Sequence, residues 1–238
     1  MTTAQLRFTA AGRREQILSV ATRLFARQGF QGTTTKQIAE HAGVTEALIF
    51  RHFPSKESLY WAVIQGKITG ASPRDRMRER LNAGGTDAET LAGLAAEILE
   101  RRSKDQTLSR LLLYSALENH RLSQRFFRNH IAGYYDVLAE YIRRRVGEGT
   151  FREVDPLLAA RGFLGMVIYH SWVQELFGGK RFQEFSVEQV SKTLVDIWLQ
   201  GMLQPPQRPK TVSGLRTRRS NDGNHRATQE HGSVTQNS

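Results

Sequence analysis

Helical periodicity dominates the chain, and no stretch alternates between apolar and polar residues with the period of two typical of a half-buried strand. Between Arg13 and Gln28 the apolar residues recur at the spacing of one helix face, and Gly29 supplies a C-terminal stop. The pattern predicts an all-α fold. The buried face predicted for this first helix consists of Ile17, Val20, Ala21, Leu24 and Phe25.

Three short helices are predicted next, each preceded by a hydroxyl residue able to accept hydrogen bonds from first-turn N–H groups. The first has Ile38 and Ala39 on its buried side, and Gly43 after it tolerates a left-handed turn. The second covers residues 45–53, and the third runs towards Ile68. The predicted capping residues are Thr34 or Thr35, Thr45 and Ser55.

Ser72 and Pro73 break the helical pattern, and we place a domain boundary there. Beyond it the predicted helices are longer, and Thr86 and Glu89 have the spacing of a capping box. Asp155 and Ser186 begin two later helices as their caps. The segments cover residues 86–102, 106–119, 123–146, 155–177 and 186–203.

The formal net charge of +11 is concentrated towards the two ends of the chain. Residues 1–67 contain nine basic and four acidic side chains, and residues 204–238 contain six and two. The middle, residues 68–203, is nearly balanced, with 19 basic and 17 acidic side chains. This distribution indicates a head that binds a polyanion; the alternative is a basic surface that is merely solvated. Residues 204–238 have almost no large apolar side chains, which predicts a disordered basic tail.

Several classes of protein are excluded by what the sequence lacks. It has no cysteine, which excludes disulfide scaffolds and thiol chemistry and favours a cytoplasmic location. It has no phosphate-binding glycine loop, no nucleophile elbow and no metal-ligand spacing, so we expect no enzyme, no catalytic residue, no metal and no cofactor. The longest apolar stretch lies between Arg161 and Glu175, too short to span a bilayer, so no membrane partner is expected.

Residues 34–53 have the spacing of a helix-turn-helix, in which the second helix enters the DNA major groove. At about 100° per residue, Ile49 and Phe53 fall on one side of that helix. One side would pack inward, and the other needs a partner. The side opposite Ile49 and Phe53 carries Ala47, Phe50 and Arg51. The alternative is that the three helices form a purely structural head.

The stretch "TTTKQIAEHAGVTEALIFRHFPSKESLY" closely resembles the N-terminal signature of the TetR/AcrR family of repressors. The resemblance implies a flexible arm (1–11), a three-helix DNA-binding head (12–71) and a larger helical domain for effector binding and dimerisation (72–203). It also implies a homodimeric repressor that binds a near-palindromic operator in double-stranded DNA and is released by a small ligand. The alternative is a TetR-like module that binds a small molecule or protein but no specific DNA.

The resemblance also implies roles for individual residues. Capping threonines would present hydroxyl groups to phosphates, and Arg51 would make a bidentate contact with guanine. Phe50 departs from the family, which most often has tyrosine there, and it lacks the hydroxyl that would bind a phosphate. It would lie against the DNA backbone or fold back onto its own head. The predicted DNA-binding residues are Thr34, Thr35, Thr45, Glu46, Ala47, Leu48, Phe50, Arg51, His52 and Lys56.

Two heads must lie about 34 Å apart to use successive major grooves, which requires a dimer. The resemblance implies that the last two helices of each subunit form a four-helix bundle. Their apolar residues would instead be core residues if they pack within one subunit. The predicted interface consists of Leu164, Val167, Ile168, Leu194, Ile197, Trp198 and Met202.

Aromatic side chains are frequent in the helical body, where they would line a cavity for a small hydrophobic or aromatic effector. They would instead be ordinary core residues if no cavity forms. Asn119, His130 and His170 are the polar groups available to orient a ligand. The predicted ligand-binding residues are Leu112, Tyr114, Asn119, Phe126, Phe127, His130, Tyr134, Tyr169 and Trp172.

Overall fold

A computed structural model describes residues 9–68, 73–118 and 120–203, and helices are the regular structure in these ranges, as predicted. A π-helical turn, Phe127–Ile131, joins α8 to α9, and a 3₁₀ turn, Gly179–Arg181, lies between α10 and α11. The α-helices are α1 (Ala10–Gln28), α2 (Thr35–Ala42), α3 (Glu46–His52), α4 (Lys56–Ile68), α5 (Pro73–Asn82), α6 (Asp87–Lys104), α7 (Thr107–Glu118), α8 (His120–Phe126), α9 (Ala132–Gly147), α10 (Pro156–Glu175) and α11 (Val187–Met202).

Side-chain caps begin the helices at most of the predicted positions. Thr34 accepts a hydrogen bond from the Gln37 N–H at 3.1 Å, and the Gln37 side chain accepts from the Thr34 N–H at 3.0 Å. Thr86 and Glu89 form the same reciprocal capping box. The other predicted caps that the structure confirms are Thr45, Ser55, Asp155 and Ser186.

The apolar core of α1 to α4, which we call the head, is built from the predicted helix faces. Tyr60 is its largest fully buried side chain, and its ring meets Phe25 edge-on at 4.9 Å and Phe30 at 5.3 Å between centroids. The core does not end with α4. Three residues from later helices complete it, namely Leu111 of α7 and Leu122 and Phe126 of α8.

A second core, which we call the body, joins α5, α6, α9, α10 and α11. The Trp198 ring lies 5.4 Å from Phe163 and 5.7 Å from Phe151, both edge-on, and its indole N–H donates to the Ala159 carbonyl at 3.2 Å. The inward faces of α10 and α11 are therefore occupied by their own chain.

Two elements differ from the sequence prediction. Helix α5 forms in a segment interpreted as a break, because Met77 and Leu81, four residues apart, bury one face of an otherwise charged helix. The single helix predicted for residues 123–146 is interrupted by the π-helical turn. In addition, α1 begins at Ala10 with Thr9 as its cap, inside the predicted arm. Most of that arm, the domain boundary at 69–72 and the tail at 204–238 lie outside the described residues.

Candidate DNA-binding surface and ligand cavity

The turn between α2 and α3 is fixed by one left-handed residue and one capping threonine. Gly43 has φ +61°, and its N–H points back to the carbonyl oxygens of Ala39 and Glu40. A side chain other than glycine would be strained there. The Thr45 hydroxyl accepts from the Leu48 N–H at 3.2 Å, which starts α3 at its correct position. These local interactions set the angle at which α3 leaves the head.

The two faces of α3 are those predicted. Ile49 and Phe53 are buried, with 1% and 3% of their surface exposed. Ala47 and Arg51 are exposed on the opposite face, and Phe50 is 46% exposed, so its ring does not fold back onto the head. Arg51 has no ion pair with any described residue, which leaves its five N–H donors available.

Several of the predicted contact residues also interact within the head. The Thr35 hydroxyl, at the start of α2, donates a hydrogen bond to the Glu46 carboxylate at the start of α3. The Lys56 ammonium lies 4.4 Å from the centroid of Phe30. Partial burial lowers the pKa of Lys56, and the negative charge of Glu118 opposes that shift. His52 is half-buried, and its Nε2 has no hydrogen-bond partner among the described residues. Thr35, Glu46 and Lys56 thus have partners within the chain, so not all of the ten predicted residues are free for DNA.

Helix α7 fastens the body to the C-terminal end of α1. The Arg110 Nε donates to the Ala26 carbonyl at 2.7 Å, and the Tyr114 hydroxyl donates to the Arg27 carbonyl at 3.1 Å. The Glu118 carboxylate accepts from the Gln31 N–H at 3.0 Å. The first two bonds satisfy carbonyl groups that the end of α1 would otherwise leave without partners, and the third satisfies an N–H of the loop that follows α1.

A cavity of about 250 Å³ opens in the body, between α6, α7, α9 and α10. Its wall is mainly apolar, with Met77, Leu94, Ile98, Leu164 and Ile168 among its residues. Four of the predicted ligand-binding residues also line it: Leu112, Phe126, Tyr134 and Trp172. A second, more open cavity of about 520 Å³ shares Leu112, Phe126, Ile131 and Trp172 as a common wall, and Phe127 lines this second cavity.

Three of the predicted ligand-binding residues lie elsewhere. The Tyr114 hydroxyl is bonded to the Arg27 carbonyl at the end of α1, and Tyr169 points outward with 63% of its surface exposed. His130 packs 5.1 Å from Phe126 and 5.8 Å from Trp61, and its Nε2 lies 3.2 Å from the Gln65 amide nitrogen. Asn119 lies outside the described residues.

The polar part of the cavity wall was missed by the sequence interpretation. Arg101 and Arg102 were assigned only to a helix C-terminus, yet both line the cavity, together with Glu97 and Tyr135. The available signal was the i, i+4, i+5 placement of Glu97, Arg101 and Arg102 in a helix whose other residues are largely apolar.

Comparisons with known proteins agree with this architecture. Residues 17–63 match the family described as "Bacterial regulatory proteins, tetR family", and residues 89–201 match "AefR-like transcriptional repressor, C-terminal domain". The nucleoid occlusion factor SlmA of Vibrio atlanticus (strain LGP32) is 30% identical over 163 residues, covering 66% of this chain and 81% of SlmA. The chain belongs to the TetR family.

Other TetR-family relatives extend over most of the described residues. The repressor KstR2 of Rhodococcus jostii (strain RHA1) is 27% identical over 203 residues, covering 82% of this chain and 93% of KstR2. The structure of AibR in complex with isovaleryl coenzyme A and operator DNA is 25% identical, covers 78% of this chain and 97% of AibR, and superposes with a TM-score of 0.58. The chain is thus a DNA-binding transcriptional regulator of the TetR family, and not an enzyme.

The interface residues predicted for a TetR-family dimer need correction. Leu164, Val167, Trp198 and Met202 are buried in the body of a single chain, and Ile168 lines the cavity. Leu194 packs against the same core, whereas Ile197 is 55% exposed. In α10 the reason is that apolar residues surround most of the helix, so periodicity did not separate its inward face from its outward face. In α11 the apolar face is distinct, but it packs against the core of its own chain.

The outward face of α10 has a different set of residues. Leu158, Gly162, Gly165 and Tyr169 are all exposed and follow one another at helical spacings of three or four. A Cβ atom added to either glycine would have no atom of the described residues within 4 Å apart from its chain neighbours and the nearby backbone of α10. Among the described residues of this TetR-family protein, no helix is long and apolar enough to cross a membrane, and no group of side chains could hold a metal ion.

Proposed function

We propose that the protein is a homodimeric TetR-family repressor that binds a near-palindromic operator and is released from it by a small hydrophobic or aromatic ligand. The observation that carries the proposal is the double role of α7. Leu108, Ser109 and Leu112 line the cavity, whereas Arg110 and Tyr114 of the same helix bond to the end of α1. A ligand that moves this helix would therefore also move the head.

The outward face of α3 supports the DNA-binding half of the proposal. In the proposed complex, Ala47 and Phe50 contact bases or sugars by apolar contact, and Arg51 donates to a guanine edge. Thr34 and Thr45 at the helix starts, with His52 and Lys56, hold the phosphate backbone, while the Thr35 hydroxyl stays bonded to Glu46. The family member AibR was solved with operator DNA and isovaleryl coenzyme A, which supports the pairing of an operator with a small ligand. The protein would act in the cytoplasm, where such DNA is found.

The exposed faces of α10 and α11 support the dimer. Gly162 and Gly165 permit close approach of a second helix, while Leu158, Tyr169 and Ile197 offer apolar area beside them. In the proposed dimer, two helices from each subunit form a four-helix bundle that sets the distance between the heads.

Operator selection followed by fluorescence anisotropy tests the proposal. A pool of random duplexes is first enriched on the full-length protein. Binding of the selected sequence is then compared with binding of a scrambled duplex at salt concentrations from 50 to 200 mM. Over this range a protein that makes six to ten phosphate contacts loses about 10³–10⁵-fold in affinity. We expect two inverted half-sites and a dimer by light scattering. Equal, weak binding to both duplexes would refute specific operator recognition, and a monomer on the operator would refute the dimer.

A further inference from the structure

We propose that the cavity binds an apolar small molecule that carries an anionic group, and that the guanidinium of Arg102 holds this group. The inference rests on the proposed ligand response and adds to it the chemical class of the ligand. An entirely apolar effector would not account for the charged part of the cavity wall.

Arg102 is a largely buried cation without a neutralising partner. Its Nε donates to the Ser171 hydroxyl at 2.9 Å, which orients the guanidinium but supplies no negative charge. No carboxylate of the described residues lies within ion-pair distance of it. Burial, with the like charge of Arg101, lowers the pKa of Arg102 to about 10, so the group remains charged at neutral pH. A buried charge normally has a counter-charge, and here the ligand would provide it.

Glu97, the one carboxylate among the described residues of the cavity wall, does not neutralise Arg102. The Glu97 oxygens lie 3.3 Å from the Nε of Arg76 and 3.5 Å from the Nε of Arg80, so two arginines already share this charge.

The surroundings of Tyr134 also indicate positive potential. Burial raises the pKa of its hydroxyl, while Arg101 and Arg74 in particular act to lower it. Positive charge therefore exceeds negative charge around the cavity.

A second donor lies in the same wall. The indole Nε1 of Trp172 is buried and has no acceptor among the described residues, although an indole N–H can only donate. Trp172 and Arg102 both line the cavity, so a ligand with acceptor oxygens would satisfy both. A carboxylate suits this arrangement because the terminal guanidinium nitrogens can donate to its two oxygens in parallel.

The volume limits the size of the ligand. A cavity of about 250 Å³ corresponds to roughly eight water molecules at ~30 Å³ each. That space suits a ligand of roughly ten non-hydrogen atoms, such as octanoate, with its chain against Leu94, Ile98 and Leu164. The anionic group belongs either to a free acid of this size or to the phosphates of a larger conjugate, such as an acyl coenzyme A, most of which would lie outside the cavity.

Isothermal titration of the full-length protein with octanoate, octanamide and octanoyl coenzyme A tests the inference. We expect octanoate to bind on the order of 10- to 100-fold more tightly than octanamide, and Arg102→Gln to remove this preference. Arg143→Gln, at an exposed position of α9, is the charge-matched control and should retain it. Arg102→Lys, which keeps the charge, should restore part of the preference. Melting without ligand establishes that each variant is folded.

The possible results distinguish a free acid from a phosphate as the anionic group, and they test the ligand class separately from ligand-induced release. Arg102-dependent binding of octanoate identifies a free acid, and Arg102-dependent binding of octanoyl coenzyme A alone identifies the phosphate source. The inference is overturned if octanoate and octanamide bind with equal, measurable affinity. It is also overturned if neither anionic probe binds, or if the preference for an anion survives in Arg102→Gln. Arg102-dependent binding without loss of operator affinity supports the ligand class but refutes release by the ligand. Release from the operator by octanamide alone supports ligand release but refutes an anionic ligand.

Discussion

The phenol of Tyr60 in α4 donates a hydrogen bond of 2.7 Å to the backbone carbonyl of Leu111 in α7. Both side chains are fully buried, and burial raises the pKa of the phenol, so it remains a donor at physiological pH. The next residue of α7, Leu112, lines the ligand cavity. The last helix of the head is thus bonded to α7, the helix whose neighbouring residues form part of the cavity wall.

Removing this bond should weaken both folding and the response to ligand. We expect Tyr60→Phe to lower the free energy of unfolding by about 1 kcal/mol, as for one neutral hydrogen bond, and to reduce the loss of operator affinity on ligand binding. Urea titration and anisotropy measure the two effects. Tyr114→Phe, which loses the hydroxyl bonded to Arg27 at a more exposed place, is the control and should cost less stability. Equal losses in the two variants would contradict the special role of Tyr60.

Restoring the hydroxyl usual in the family should strengthen DNA binding. The Phe50 ring is 46% exposed, so Phe50→Tyr adds a hydroxyl group without disturbing the core. We expect operator affinity to rise by about 1 kcal/mol, or roughly fivefold, if the new group donates to a phosphate. The melting temperature of the free protein should stay unchanged. An unchanged affinity would mean that the ring edge does not reach the DNA backbone.

Arg51 and Lys56 should affect recognition in different ways. Arg51→Ala should remove about 1–3 kcal/mol of discrimination at one base pair of each half-site, because its donors face outward. Lys56→Ala should weaken all sequences alike, and loss of its contact with Phe30 should cost about 0.5–1 kcal/mol of stability. Binding to a panel of single-base operator variants separates the two patterns. Unaltered base preferences in Arg51→Ala would show that this residue reads no base.

The bond between Thr35 and Glu46 should hold the starts of α2 and α3 together. We expect Thr35→Val to lower the free energy of unfolding by about 1–2 kcal/mol, because the hydroxyl donates to a carboxylate. Thr35→Ser keeps the hydroxyl and should remain close to the parent. Chemical denaturation distinguishes them, and identical midpoints for the valine and serine variants would argue against a stabilising bond.

Acidification should destabilise the protein through its histidines. Burial and the nearby Arg74 charge lower the pKa of His130, and burial lowers that of His170. The folded state therefore favours neutral imidazoles, so the unfolded chain binds more protons once the pH falls below about 6.5. The stability that these groups contribute should be retained above about pH 6.5 and decline as the pH falls from there towards 5. His130→Gln, which can still bond to Gln65, should show a smaller decline in the urea midpoint, and a decline equal to that of the parent would exclude His130 as a cause.

Local signals in the sequence account for most of the fold. The caps at Thr34, Thr45 and Thr86, the left-handed Gly43 and the buried face of α1 follow from periodicity and hydrogen-bonding capacity. Helix α5 was missed because charged residues dominate it, although Met77 and Leu81 have helical spacing. The π-helical turn was missed because nothing local distinguishes it from the helix on either side.

The candidate sites were predicted less evenly. Both faces of α3 followed from a spacing of 100° per residue, because that helix is short and one side of it is apolar. As aromatic residues of the helical body, Tyr114, Tyr134 and Tyr169 were predicted alike. Tyr114 is bonded to the end of α1, Tyr134 lines the cavity, and Tyr169 is exposed on the surface. Which neighbour a helix face meets is decided by the packing of distant segments, and one helix at a time does not reveal it.

The π-helical turn at Phe127–Ile131 gives this part of the chain a position at which its length can change by one residue. It accommodates one residue more than an α-helical turn, between Phe126, which is buried in the head core, and Tyr134, which lines the cavity. Deleting a single residue there would restore a continuous α-helix with the faces on either side nearly in place, because the turn takes up the extra residue. Deleting one residue within α9 would instead rotate the two sides against each other by about 100°. We therefore expect the loss of one codon to be tolerated in this turn and to disrupt the body core when it falls within α9.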